Sequence, residues 1–141
     1  MYKRQDQVGA EERVSRLFSR SIKKDSKVQA LKMILSMIDL TTLEGKDSPG
    51  KVKQLCYKAA HLHDQYPGLP AVAAICVYPN MVPVAKVALV GTNIKVASVA
   101  TAFPSGMTTL SAKLKEVRSV VDDGAEEVDI CLLYTSPSPR D

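Results

Sequence analysis

Four stretches carry side chains able to do chemistry: Asp39-Leu40-Thr41-Thr42, Cys76 with Tyr78, Thr101 before Phe103-Pro104-Ser105-Gly106, and Asp129. Each closes an apolar run. An aspartate set in such a run is costly to bury unless it is hydrogen-bonded or functional. Asp39 in SMIDLTTL and Asp129 in AEEVDI are therefore candidates for a working carboxylate, with capping or loop bracing as the alternative for each. His61-Leu62-His63-Asp64 has spacing reminiscent of a metal site, but residues i and i+2 diverge on a helix and no third ligand is placed. Cys76 reads as a small core residue, Met33 and Met37 as core fillers, and Gly106 as a turn residue.

Those positions matter only if the surrounding elements bring them together. Residues 11–35 place Val14, Leu17, Phe18, Ile22, Val28, Leu31, Ile34 and Leu35 mostly three and four apart. This predicts an amphipathic helical region broken near Lys24-Asp25-Ser26, where Asp or Ser caps a second helix. SMIDLTTL reads as a strand running into a loop. Ser48 and Pro49 open a helix carrying Val52, Leu55, Cys56 and Ala59, which Pro67-Gly68 stops. AVAAICVYP and IKVASVATAFPSG read as strands buried on both faces, and a short helix between them ends at Gly91. A helix through Leu110, Leu114, Val117 and Val121 stops at Gly124, and AEEVDI begins the next strand. Strands alternating with helices predict a parallel sheet with right-handed crossovers. A doubly wound sheet and a (β/α)8 barrel share this local pattern, and function in both sits at the C-terminal strand ends.

Composition narrows the class. The chain has 141 residues, 45% of them apolar, enough for one domain with a core. Nineteen basic and fifteen acidic residues give a net charge of +4, but the charges are interspersed and aromatic content is 5%, so no nucleic-acid partner is expected. No apolar run approaches the ~18 residues of a membrane span and no signal pattern opens the chain, so no membrane partner is expected. Cysteines 56, 76 and 131 lack CxxC spacing and are odd in number, which fits a reducing cytosol and a cytoplasmic protein.

The ends read differently from the middle. Tyr2-Lys3-Arg4-Gln5 can be encoded by TATAAGAGACAG, whose reverse complement, shifted by one base, encodes Cys-Leu-Leu and the start of Tyr, as at residues 131–134. An adapter joined to both ends of a DNA fragment produces that relation, and CLLYTSPSPRD resembles the translation of a transposase sequencing adapter. Removing Lys3, Arg4, Arg140 and Asp141 would lower the net charge from +4 to +2.

IDLTTL, LCYKA, AAICVYP, VASVATAFPSG and GAEEVDI, in this order and at these separations, resemble the N-terminal half of deoxyribose-phosphate aldolase, a class I aldolase, over about residues 33–130. The resemblance implies a partial (β/α)8 TIM barrel of about four strands, with residues 36–130 as the barrel half, 6–35 as a helical extension, and 1–5 and 131–141 as adapter sequence. It also implies reversible cleavage of 2-deoxyribose 5-phosphate to glyceraldehyde 3-phosphate and acetaldehyde through a lysine Schiff base, with no cofactor and no metal. Asp129 matches the family's proton-transfer aspartate; Asp39 and Thr41 match substrate-lining residues, and Cys56 matches a cysteine near the substrate. The expected partner is a phosphorylated sugar, and the intact enzyme can form a homo-oligomer. The Schiff-base lysine, its partner lysine and the phosphate-binding loops belong to the family's second half, so the 141-residue chain itself is expected to be inactive. Lys95 falls at the starting end of its strand, and Lys58, Lys86, Lys113 and Lys115 fall on helices. The alternative reading is a complete small doubly wound α/β binding or signalling domain.

Overall fold

The computed structural model describes residues 6–131, so residues 1–5 and most of the second adapter-like stretch lie outside the described residues. The chain divides into two units, Met1–Leu31 and Lys32–Asp141. In the first, helix α1 spans Gln7–Phe18, and the Asp6 side chain caps it by accepting from the Gly9 N–H at 2.9 Å. Helix α2, Lys24–Leu35, begins at the lysine itself. The expected break therefore lies just upstream, and Asp25 occupies the first helical turn, where a carboxylate complements the helix dipole. Neither helix contains a buried residue.

The second unit holds strands β1 (Asp39–Thr41), β2 (Ala74–Val77), β3 (Lys95–Ala100) and β4 (Glu127–Ile130). Helices α3 (Pro49–Ala60), the one-turn α4 (Leu62–Gln65), α5 (Val82–Ala88) and α6 (Leu110–Asp122) connect them. Ser48 and Thr109 cap α3 and α6 by accepting from Lys51 N and Ala112 N, and Pro49 sits at the start of α3, where its missing N–H costs nothing. The helix expected to run on toward Pro67 stops at Ala60. There the Tyr57 carbonyl contacts both the His61 backbone N–H at 3.0 Å and Nδ1 of its ring at 2.8 Å, and the two rings stack with centroids 4.0 Å apart.

All four strands are parallel, in the order β1-β2-β3-β4. Side chains alternate between faces along each strand, so the register fixes which residues meet. On one face Ile75, Val77, Val96 and Ala100 pack with Val52, Cys56 and Ala59 of α3, Val82 and Ala85 of α5, and Val120 of α6. Ser98 is fully buried, and its hydroxyl is satisfied by donating to the carbonyls of Val77 and Val99. The other face is a smaller cluster of Ala74, Cys76, Ala97 and Val99, edged by Leu43, Tyr78 and Phe103. The long helices α3, α5 and α6 thus all contribute to one core, and the strand order never reverses. A doubly wound sheet carries helices on both faces and reverses its order at a switch point. The alternative small-domain reading is therefore overturned.

Candidate functional site

The second face, free of helices, is where the polar candidates gather. Asp39 pairs in register with Ala74, and Ala74 with Lys95. One step along, Thr41, Cys76, Ala97 and Glu127 form a continuous row. One step further, Val99 pairs with Asp129. Strand alternation therefore puts Asp39, Thr41, Cys76, Lys95, Glu127 and Asp129 on one surface. Only Ala97 and Val99 of β3 stand between Cys76 and Asp129, and the thiol reaches across to donate to Asp129 Oδ2 at 3.5 Å. A larger residue at position 97 would fill that path.

Electrostatics follow from the crowding of carboxylates. Burial pushes the Asp39 carboxyl above its ordinary range, the negative charges of Glu127 and Asp129 push it further, and Lys95 partly opposes them. Burial also drives the Cys76 thiol up to about 12, reinforced by the Asp129 charge and by the hydrogen bond to it, while the Thr41 side chain pulls slightly the other way. Cys76 is therefore a protonated donor at neutral pH. Lys95 Nζ lies 2.7 Å from Glu127 Oε1, a contact that raises its pKa and keeps it an ammonium. A lysine in that state cannot attack a carbonyl.

Cys56 does not join this group. It is fully buried with Val52, Ile75 and Val77 in the helix-side core, on the face of the sheet opposite the cluster that holds Cys76. The face-forming cysteine is Cys76. Its signal in the sequence was alternation: Ala74 and Cys76 share the phase of Asp39 and Thr41 once the strands are aligned. His61 and His63 also stay apart from it, with His61 at the Tyr57 carbonyl and His63 3.7 Å from Asp64. The three cysteines should therefore label unequally with a thiol reagent at pH 8. Half-buried Cys131 should react promptly, and Cys56 and Cys76, both buried and both raised in pKa, only after denaturant is added. Peptide mapping of the first-labelled site checks the order, and prompt labelling of Cys76 would contradict the burial.

A second arrangement braces the loop after β1. The Asp47 carboxylate accepts from Thr42 Oγ1 and from the Glu44 N–H, both at 2.9 Å, and from Lys51 Nζ at 2.6 Å. Its side chain is only 5% exposed. Lys51 also reaches Glu44 at 2.6 Å. The Lys51 hydrogen bond above all holds the Asp47 carboxyl below its ordinary value of 3.8. A depressed carboxylate stabilises the fold above its unfolded pKa, and that stability is lost as pH falls through the folded pKa. Urea midpoints recorded from pH 6 to pH 2 should therefore drop more steeply for the wild type than for Asp47→Asn, which lacks the titrating group. Equal slopes would show that the clamp carries no stability.

The loop after β3 is strained. Thr101 and Ala102 hold φ of 63° and 59°, a left-handed pair without glycine. Such residues cost of order 1–3 kcal/mol each and persist where the surroundings over-determine them. Here the Ala102 N–H donates to Glu116 Oε2 of α6 at 2.8 Å, and the Ala102 carbonyl accepts from Gly106 N at 2.9 Å. Gly106, at φ 66°, has the turn geometry expected of it.

A parallel sheet with strands in unreversed order, helices on one face and polar strand ends on the other defines a segment of a β/α barrel. No protein-family model matches the chain. It is 41% identical over 126 residues to deoxyribose-phosphate aldolase of Homo sapiens, covering 80% of this chain and 39% of that protein. The corresponding figures for deoxyribose-phosphate aldolase of Mus musculus are 43% over 127 residues, 82% and 40%. Among solved structures, QR15, an aldolase, superimposes with a TM-score of 0.58 at 30% identity, covering 69% of this chain and 39% of that one. The tetrameric deoxyribose phosphate aldolase of Aeropyrum pernix shares the fold at a TM-score of 0.55 and 24% identity, covering 70% and 38%. The chain belongs to the deoxyribose-phosphate aldolase family, and it spans about two-fifths of the length of the curated relatives it matches.

Proposed function

We propose that the protein to which this chain belongs cleaves 2-deoxyribose 5-phosphate to glyceraldehyde 3-phosphate and acetaldehyde. The observation that carries this reading is Asp129, set on the helix-free face beside Cys76 and sharing that face with Asp39 and Thr41. The products require the bond between C2 and C3 of the open-chain sugar to break. With C1 held as an iminium on a lysine, the electron pair of that bond moves into an enamine, C3 becomes an aldehyde, and the proton of its hydroxyl needs an acceptor. Asp129 fills that role, with Asp39 and Thr41 lining the substrate and Cys56 taking no part. Lys95 is not the imine lysine in this reading, because it opens β3 at the end away from the C-terminal strand ends and is paired with Glu127.

In this reading residues 36–130 supply the first part of the barrel, residues 6–35 an extension, and the chain alone turns nothing over. The family partner is a small phosphorylated sugar, and no cofactor takes part. No helix among the described residues is long and apolar enough to cross a membrane, and the free thiols of Cys56 and Cys76 support a cytoplasmic location. A homo-oligomer of the intact enzyme is favoured by the tetrameric neighbour. The test is to complete the chain with the remaining length of the mouse relative and treat both forms with substrate and borohydride. The completed enzyme should give a reduced lysine adduct outside Lys95 together with aldehyde products, and the 141-residue chain neither. An adduct on Lys95, or none in the completed enzyme, would overturn the reading.

A further inference from the structure

We propose that Thr101 is a substrate-binding residue whose hydroxyl hydrogen-bonds an oxygen of the polyol phosphate, an assignment that rests on the aldolase reading and extends it. Three observations converge. Thr101 follows directly on Ala100, which pairs with Ile130, so it sits at the C-terminal rim of the sheet just past the row that contains Asp129. Its residue is 6% exposed, and its Oγ1 is the buried side-chain oxygen or nitrogen that finds no hydrogen-bond partner among the described residues. Its backbone is left-handed, a conformation a β-branched residue adopts only under constraint.

The surroundings explain how that conformation is imposed. On one side of Thr101, Ala102 is fastened to α6 through Glu116; on the other, β3 is paired along its whole length. Phe103 of the same loop packs on the helix-free face. Strain and an unsatisfied hydroxyl at one residue are two local penalties that packing does not need, since valine would fill the same volume. A hydroxyl at this rim, where Thr41 ends β1 and Asp129 stands next to last in β4, suits a ligand rich in hydroxyl and carbonyl oxygens. Thr101 would act as donor or acceptor to such an oxygen.

The completed enzyme and its Thr101→Val and Thr101→Ser variants test this by melting temperature and by steady-state kinetics on 2-deoxyribose 5-phosphate. Thr101→Val should melt at or above the wild-type temperature yet raise KM about tenfold, and Thr101→Ser, which keeps the hydroxyl, should return KM to near the wild-type value. A melting temperature several degrees lower in Thr101→Val, or failure of that variant to fold, would show that the hydroxyl has a structural partner and would overturn the assignment. So would an unchanged KM. A wild-type completed enzyme that forms no borohydride-trapped imine would instead sink the aldolase reading, and the Thr101 assignment with it.

Discussion

Replacing Asp129 with asparagine in the completed enzyme is expected to lower kcat about 10²–10⁴-fold, the range set by loss of a positioned general acid or base. The substitution keeps size and shape, and the amide oxygen can still accept from the Cys76 thiol, 3.5 Å from Oδ2. KM and melting temperature should therefore move little. One negative charge also leaves a face on which Asp39 already feels both Glu127 and Asp129, which relieves repulsion there. The decisive readout separates bond formation from proton transfer. With acetaldehyde and borohydride, Asp129→Asn should still yield the reduced lysine adduct, because imine chemistry depends on the lysine, while cleavage of 2-deoxyribose 5-phosphate stalls. A kcat within threefold of the wild type would move the proton-transfer role elsewhere.

The order of elements was legible because caps and stops are local. Ser48-Pro49 at the head of α3 and Gly124 beyond the end of α6 signal their boundaries through a few neighbouring residues. Thr41 at the end of β1 and Asp129 near the end of β4 could be placed for the same reason, whereas Asp39 opens β1 instead of closing it. Pairing between strands is not local. That Cys76 rather than Cys56 meets Asp129 depends on a register across 53 positions of chain, and on two small residues of β3 leaving the path open. Cys56 sits at helical spacing with Val52 and Ala59, a pattern that in retrospect assigns it to the buried side of α3. The Asp47 clamp was invisible because Asp, Glu and Lys in a loop carry the same sequence signature whether solvated or joined around one carboxylate. Likewise no propensity predicts left-handed geometry at Thr101 and Ala102, where tertiary anchoring through Glu116 prevails over the local preference of both residues.

The two faces of β2 should separate sharply in a stability experiment. Ile75 and Cys76 are neighbours in sequence, both essentially buried, but they face opposite clusters. Ile75 packs against the layer formed by α3, α5 and α6, where rigid helices cannot close in around a deleted side chain. Ile75→Ala should cost about 2–5 kcal/mol, lowering the urea midpoint of the completed enzyme by about 1 M or more. Cys76→Ala removes one sulfur from a face lined by alanines, and it frees Asp129 of a hydrogen bond without leaving a new buried polar group. Its cost should stay near the average for a point substitution, about 1 kcal/mol. The contrast tests the architecture itself, because a sheet covered by helices on both sides would penalise the two truncations in proportion to volume alone. Equal losses would mean that the face carrying Asp39, Thr41 and Asp129 is packed as core rather than left open to a substrate.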